Sequence, residues 1–161
     1  MSFATVPATA AWRHQGARSG FEVVYFQPSG GGCRIEGLTA AVEDGDTWAV
    51  EYAIELDAGW ATRSARIRGR SRAGSSSRLL EADGAGRWLV DGKSAAYLDG
   101  CLDVDLESSA MTNALPVHRI ALPAGAVAGC SGRLRPRCRP GRGAAGANLR
   151  AYSRPGRPPV L

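Results

Sequence analysis

The segment Thr47–Leu56, TWAVEYAIEL, sets Trp48, Val50, Tyr52, Ile54 and Leu56 against Ala49, Glu51, Ala53 and Glu55. A period of two belongs to a β-strand with one face buried, whereas a helix would scatter the same apolar residues around its axis. The short connection Asp57–Trp60 (DAGW) then leads into TRSARIRGR, which predicts an antiparallel hairpin. On this second arm Thr62, Ser64, Arg66, Arg68 and Arg70 share one side, and Arg63, Ala65, Ile67 and Gly69 share the other. Arg66, Arg68 and Arg70 are expected to face water near Glu51 and Glu55, where cross-strand ion pairs contribute little. Strand parity places Arg63 on the covered side, and a buried arginine requires an acidic partner.

The same reading extends along most of the chain. GFEVVYFQ and CRIEGLTAAVE read as strands across the turn PSGGG. SSRLLEA, RWLV, SAAYLDG, CLDVDLE and LPVHRIAL come next, with Asp91-Gly92 a strong two-residue hairpin signal and Asp83-Gly84 a looser one. VPATAAWRH at the start is ambiguous, because it contains Pro7. No stretch carries a helical period of useful length. Short strands at this spacing predict an all-β fold, an antiparallel meander curved into a barrel-like or half-barrel shell.

A chain of 161 residues suits one domain with a single core. No window has the apolar run of a leader peptide or the roughly 20 apolar residues of a membrane span, so a soluble cytoplasmic protein is expected. Cys33, Cys101, Cys130 and Cys138 show neither CxxC spacing nor a nearby histidine pair. Zinc and a redox motif are therefore unsupported, no cofactor is expected, and reduced thiols suit the cytosol.

The net charge of +5 divides unevenly. Eight of the 20 basic residues are arginines within residues 131–161, which contain no acid. Residues 1–130 keep 12 basic against 15 acidic groups, a net charge of −3. One β-rich domain over 1–129 and an Arg/Pro/Gly-rich, disordered tail over 130–161 are expected. An arginine arm can meet phosphates, but Tyr152 alone is available for base stacking, so a nucleic-acid partner is disfavoured. The abrupt change of composition near Gly129 also fits a GC-rich gene read in a shifted frame.

The most chemically suggestive stretch is CLDVDLESSAMTNALPVHR, Cys101–Arg119. Alternation puts Leu102, Val104 and Leu106 on one face and Cys101, Asp103 and Asp105 on the other. The two aspartates then have Cβ atoms about 7 Å apart. Glycosidases use carboxyl pairs at roughly 5 to 9 Å, which keeps a hydrolase of sugar or acyl conjugates as the alternative reading. No nucleophile elbow, HExxH or phosphate loop accompanies the pair, His14 and His118 are isolated, and no oxygen-rich calcium loop is present. Structural pairing with an arginine and contact with a ligand in a cavity are the other two readings.

Several motifs recur together: WRH at Trp12–His14, WATR at Trp60–Arg63, LDGCLDVDLE at Leu98–Glu107 and TNALPVHRIAL at Thr112–Leu122. In that order they resemble the Putative glycolipid-binding family of small bacterial proteins, over about Trp12 to Leu122. The resemblance implies a mainly antiparallel shell and a non-enzymatic role in holding an amphiphilic, glycolipid-like molecule. Trp60 and Arg63 match the tryptophan-to-arginine motif, Asp103 and Asp105 the acidic pair, and Asn113, Pro116 and Arg119 the polar turn and the strand after it. The alkyl part of a ligand would lie on apolar inward faces, with Trp60, Arg63, Asp103, Asp105, Asn113 and Arg119 around the polar head. ESSAM at Glu107–Met111 departs from the family's more apolar turn, and the patterned C-terminal portion is replaced by the arginine-rich tail, which leaves an exposed sheet edge as an expectation.

Overall fold

The computed structural model describes residues 5–16, 18–120 and 149–153. Eight consecutive strands form one antiparallel sheet in strict chain order. They are β1 (Thr9–Arg13), β2 (Arg18–Ser29), β3 (Gly32–Glu43), β4 (Asp46–Leu56), β5 (Thr62–Ser71), β6 (Gly74–Ala82), β7 (Trp88–Val90) and β8 (Lys93–Ser94). The expected hairpin at Asp91-Gly92 joins Val90 to its partner Lys93, with φ of 52° and 75° at the two turn residues. Asp44-Gly45 closes the β3–β4 hairpin in the same way, between Glu43 and Asp46.

The meander is as expected, but it does not close. Among the described residues β1 pairs only with β2 and β8 only with β7, so of the two expected forms the closed barrel is corrected and the meander is an open sheet. A two-residue final strand offers too short a ladder to complete a ring.

One face of the sheet is covered. Its inward residues include Val24, Ile35, Val50, Tyr52, Ile54 and Ile67, all buried. Against them lies a layer made of β9 (Cys101–Leu106), a 3₁₀ turn (Met111–Asn113) and α1 (Ala114–Arg119), which contributes Val104, Leu106, Met111 and Leu115 to the same core. Each large side chain removed from water there contributes about 1.5–3 kcal/mol, so this layer and the sheet stabilise one another. A short strand β10 (Leu149–Ser153) pairs antiparallel with β9. Apart from that strand, the arginine-rich tail expected to be disordered lies outside the described residues.

Three local expectations are corrected. LPVHRIAL is not a strand: Ala114–Arg119 forms α1, with Pro116 in its first turn, where a missing N–H costs nothing. SAAYLDG supplies only the end of β8, followed by a 3₁₀ turn at Ala96–Leu98. Arg63 is not on the covered face, because the β4–β5 pairing slips: Glu55 faces Ser64 but Leu56 faces Thr62. Arg63 is the extra residue of this bulge, which turns Thr62 inward and Arg63 outward. Arg66, Arg68 and Arg70 face water as expected. No helix among the described residues is long and apolar enough to cross a membrane.

Candidate functional site

The covering layer is tied to the sheet by polar side chains that are themselves buried. Glu22 on β2 is wholly excluded from solvent. Its carboxylate accepts from the Tyr52 hydroxyl (2.6 Å), the Ser109 hydroxyl (2.5 Å), the Ala110 N–H (2.6 Å) and the Met111 N–H (3.3 Å). Burial, reinforced by the Glu22 charge, pushes the Tyr52 phenol well above its ordinary value, so Tyr52 stays a donor. The tyrosine ring lies over Gly37 of β3, where a Cβ would sit 2.0 Å from Cζ.

β9 carries the second set of ties. Arg119 of α1 grips Asp103 through Nε, at 3.0 and 3.1 Å from the two carboxylate oxygens, and through Nη2 at 2.6 Å. Asp103 is completely buried and the Arg119 side chain is 13% exposed. Thr112 donates to Asp105 Oδ1 (3.2 Å) and accepts from the Leu106 N–H, the Val104 N–H reaches Thr62 Oγ1 (3.4 Å), and the Trp88 indole donates to the Cys101 carbonyl. Burial raises the Cys101 thiol to about 11, with Asp103 and Asp99 adding to the shift, so the thiol is inert at neutral pH.

At the end of the sheet next to α1, the β4–β5 turn presents Trp60. Asp57 organises the turn, its Oδ1 accepting from the Gly59 and Ala61 N–H groups. Trp60 has φ of 64°, a left-handed backbone unusual for a bulky residue. Its indole stacks on His118 of α1 with centroids 4.1 Å apart and planes 10° from parallel. Burial holds His118 below the ordinary histidine value, which favours the neutral ring in this stack. Arg63 leans across Gly84 and lies 3.9 Å from Asp57, with 43% of its side chain exposed. Asn113 is exposed and donates to the Ala110 carbonyl.

The six residues singled out in the sequence therefore divide. Trp60 is brought to His118 beside Arg119, and Asp103 is brought to Arg119. The expected partnership of Arg63 with Asp103 or Asp105 is corrected, since the bulge turns Arg63 away and Arg119 occupies Asp103. Asp105 faces Thr112, and Asn113 lies at the rim. Neither aspartate is open to a substrate, at 0% and 5% exposure, so the geometry gives a hydrolytic carboxyl pair no support. No cluster of three or more metal-ligating side chains occurs among the described residues.

Sequence reasoning missed Glu22 and His118. Glu22 shares its strand parity with the core residue Val24, which could have marked it as an inward acid needing donors. The His118 stack had no signal in a segment read as a strand.

No curated protein matches the chain. Among solved structures, it is similar to a DUF1089 family protein from Pseudomonas aeruginosa, with a TM-score of 0.54 and 27% identity. That likeness covers 78% of this chain, which spans 64% of the length of the other. The family model described as "Putative glycolipid-binding" matches residues 9–130, and on that match the chain belongs to this family.

Proposed function

We propose that the protein is a non-enzymatic binder of an amphiphilic, glycolipid-type molecule, with the polar head taken where the β4–β5 turn meets α1. The observation that carries this is the Trp60–His118 stack, an aromatic surface held on a left-handed backbone and only half-buried. Non-glycine residues kept in that region cost roughly 1–3 kcal/mol and cluster where a side chain must be aimed. An indole face suits a sugar ring, and the neighbouring exposed guanidinium of Arg63 suits its hydroxyls or an anionic group. Arg119, fixed by Asp103, closes the end of α1 beside His118, Asn113 stands exposed before its start, and Asp105 supports the wall through Thr112. The family's description supplies the ligand class. A cytoplasmic setting accords with the free thiols of Cys33 and Cys101.

Native mass spectrometry of the protein as purified, followed by denaturation, is the direct test. A stoichiometric amphiphile released on denaturation is the expected outcome. Calorimetric titration with octyl glucoside below its micelle concentration is then expected to weaken about tenfold on Trp60→Ala. A clean apo mass together with no saturable heat would refute the reading.

A further inference from the structure

The two faces of β2 are both apolar, and the fold buries the less apolar one. Glu22, Val24 and Phe26 turn inward, while Phe21, Val23 and Tyr25 turn outward and remain 60%, 37% and 52% exposed. Register extends this outward surface onto β3, where Leu38 and Val42 are each 45% exposed. Soluble surfaces carry single exposed apolar residues routinely, but five large ones on two adjacent strands form a contiguous patch of the kind that meets a partner.

The patch is bordered by positive charge on both sides. One cross-strand row runs Arg13, Phe21, Ala40, Ala49, Arg70 over β1 to β5. The next runs Ala11, Val23, Leu38, Glu51, Arg68, with Arg66 further along β5. Arg13, Arg66, Arg68 and Arg70 are all exposed, and none makes an ion pair among the described residues. Three acids interrupt the surface: Glu36 and Glu55 are both held by Arg34, and Glu51 stands opposite Arg68.

We infer that this outer face of β1–β5 docks on a membrane surface rich in anionic phospholipid. Phe21, Val23, Tyr25 and Leu38 enter the headgroup region, and the flanking arginines meet lipid phosphates. An apolar centre with a basic border matches the two layers of such a surface, acyl boundary and negative headgroups. A second copy fits worse. A two-fold axis across the strands lays the β5 arginines over themselves, where like charges meet. The inference is independent of the proposed ligand site, because none of Phe21, Val23, Tyr25, Leu38, Arg13, Arg66, Arg68 and Arg70 belongs to that site.

Flotation of the full chain with phosphatidylcholine vesicles, with and without about one-third phosphatidylglycerol, tests it. Binding is expected only to the anionic vesicles and is expected to fall steeply with added salt. Arg66→Gln/Arg68→Gln/Arg70→Gln should weaken it about 100-fold, at about fivefold per arginine. Phe21→Ser/Leu38→Ser should weaken it at least about tenfold with melting unchanged, since both positions are exposed. Binding unaltered by both variants would mean adhesion through the arginines of 131–161 and would overturn the inference. Absence of binding would overturn it too, whether light scattering shows a monomer or a dimer that Phe21→Ser dissociates.

Discussion

The eight-stranded sheet and the layer that covers it are held by different means. Every sheet contact between neighbours is local in sequence, closed by a short turn and repeated as a backbone ladder. The layer β9–α1 instead meets the sheet through side chains far apart in the chain, with Glu22 reaching Ser109 and Ala110 across 87 and 88 positions. Local ladders tolerate the loss of any one side chain, because the backbone keeps the register. Buried polar ties do not, because each lost partner strands a group away from water. Substitutions of equal size should therefore cost far more in the ties than on the ladders.

The largest effect is expected at Asp103–Arg119. Arg119→Ala leaves a wholly buried carboxylate without its partner and should destabilise by about 3–5 kcal/mol in urea unfolding. Arg119→Leu with Asp103→Leu together should recover most of that loss, since removing both charges also removes their desolvation cost. A double variant as unstable as the single one would show that packing, not charge, makes this tie.

Next comes Glu22. Glu22→Ala strips an acceptor from two hydroxyls and two backbone N–H groups and should cost about 3 kcal/mol. Hydrogen exchange at Ala110 and Met111 should rise far more than at the β4–β5 ladder. Equal rises in both would mean that sheet and layer unfold as one unit, and the distinction between them would fail. Gly37→Ala probes the same tie from behind. The added methyl meets the Tyr52 ring, which Glu22 holds in place, and a loss of about 1–3 kcal/mol is expected from the overpacking. A thermal melt unchanged by this substitution would show the ring free to pivot.

The difference also explains what could be read from the chain. Alternation in Trp48–Leu56 and the Asp91-Gly92 turn announce themselves within a few residues, so the meander was legible. The bulge at Arg63 was not, because one inserted residue inverts parity without disturbing the apolar pattern. β2 is harder still, since apolarity alone would bury Phe21, Val23 and Tyr25. Pairing decides otherwise: Val24 and Glu22 lie on the face that Ile35, Val50 and Ile54 bury, and Glu22 is admitted there only because Ser109–Met111 supply donors. α1 has six residues, too few to show a period, and its place is set by Leu115 in the core and Arg119 on Asp103. The candidate site inherits these limits: Trp60 and Asp103 could be named from sequence, whereas what each of them touches depends on the layer.

The smallest effect is expected at the Trp60–His118 stack, where two forces oppose each other. Burial disfavours the charged imidazole, while an indole face attracts it. Burial depresses the folded pKa. The unfolded chain then takes up its proton first as pH falls, and His118's contribution to stability is complete above about pH 6.5. It declines as the pH drops below that toward the folded value. Guanidinium chloride unfolding of the protein and of His118→Gln, compared pH by pH, isolates this contribution from the other titrating groups. The difference should be flat near neutrality and shrink below about pH 6.5. A difference that grows in acid would show that the indole's attraction outweighs the burial, and the stack would then favour a charged rather than a neutral ring.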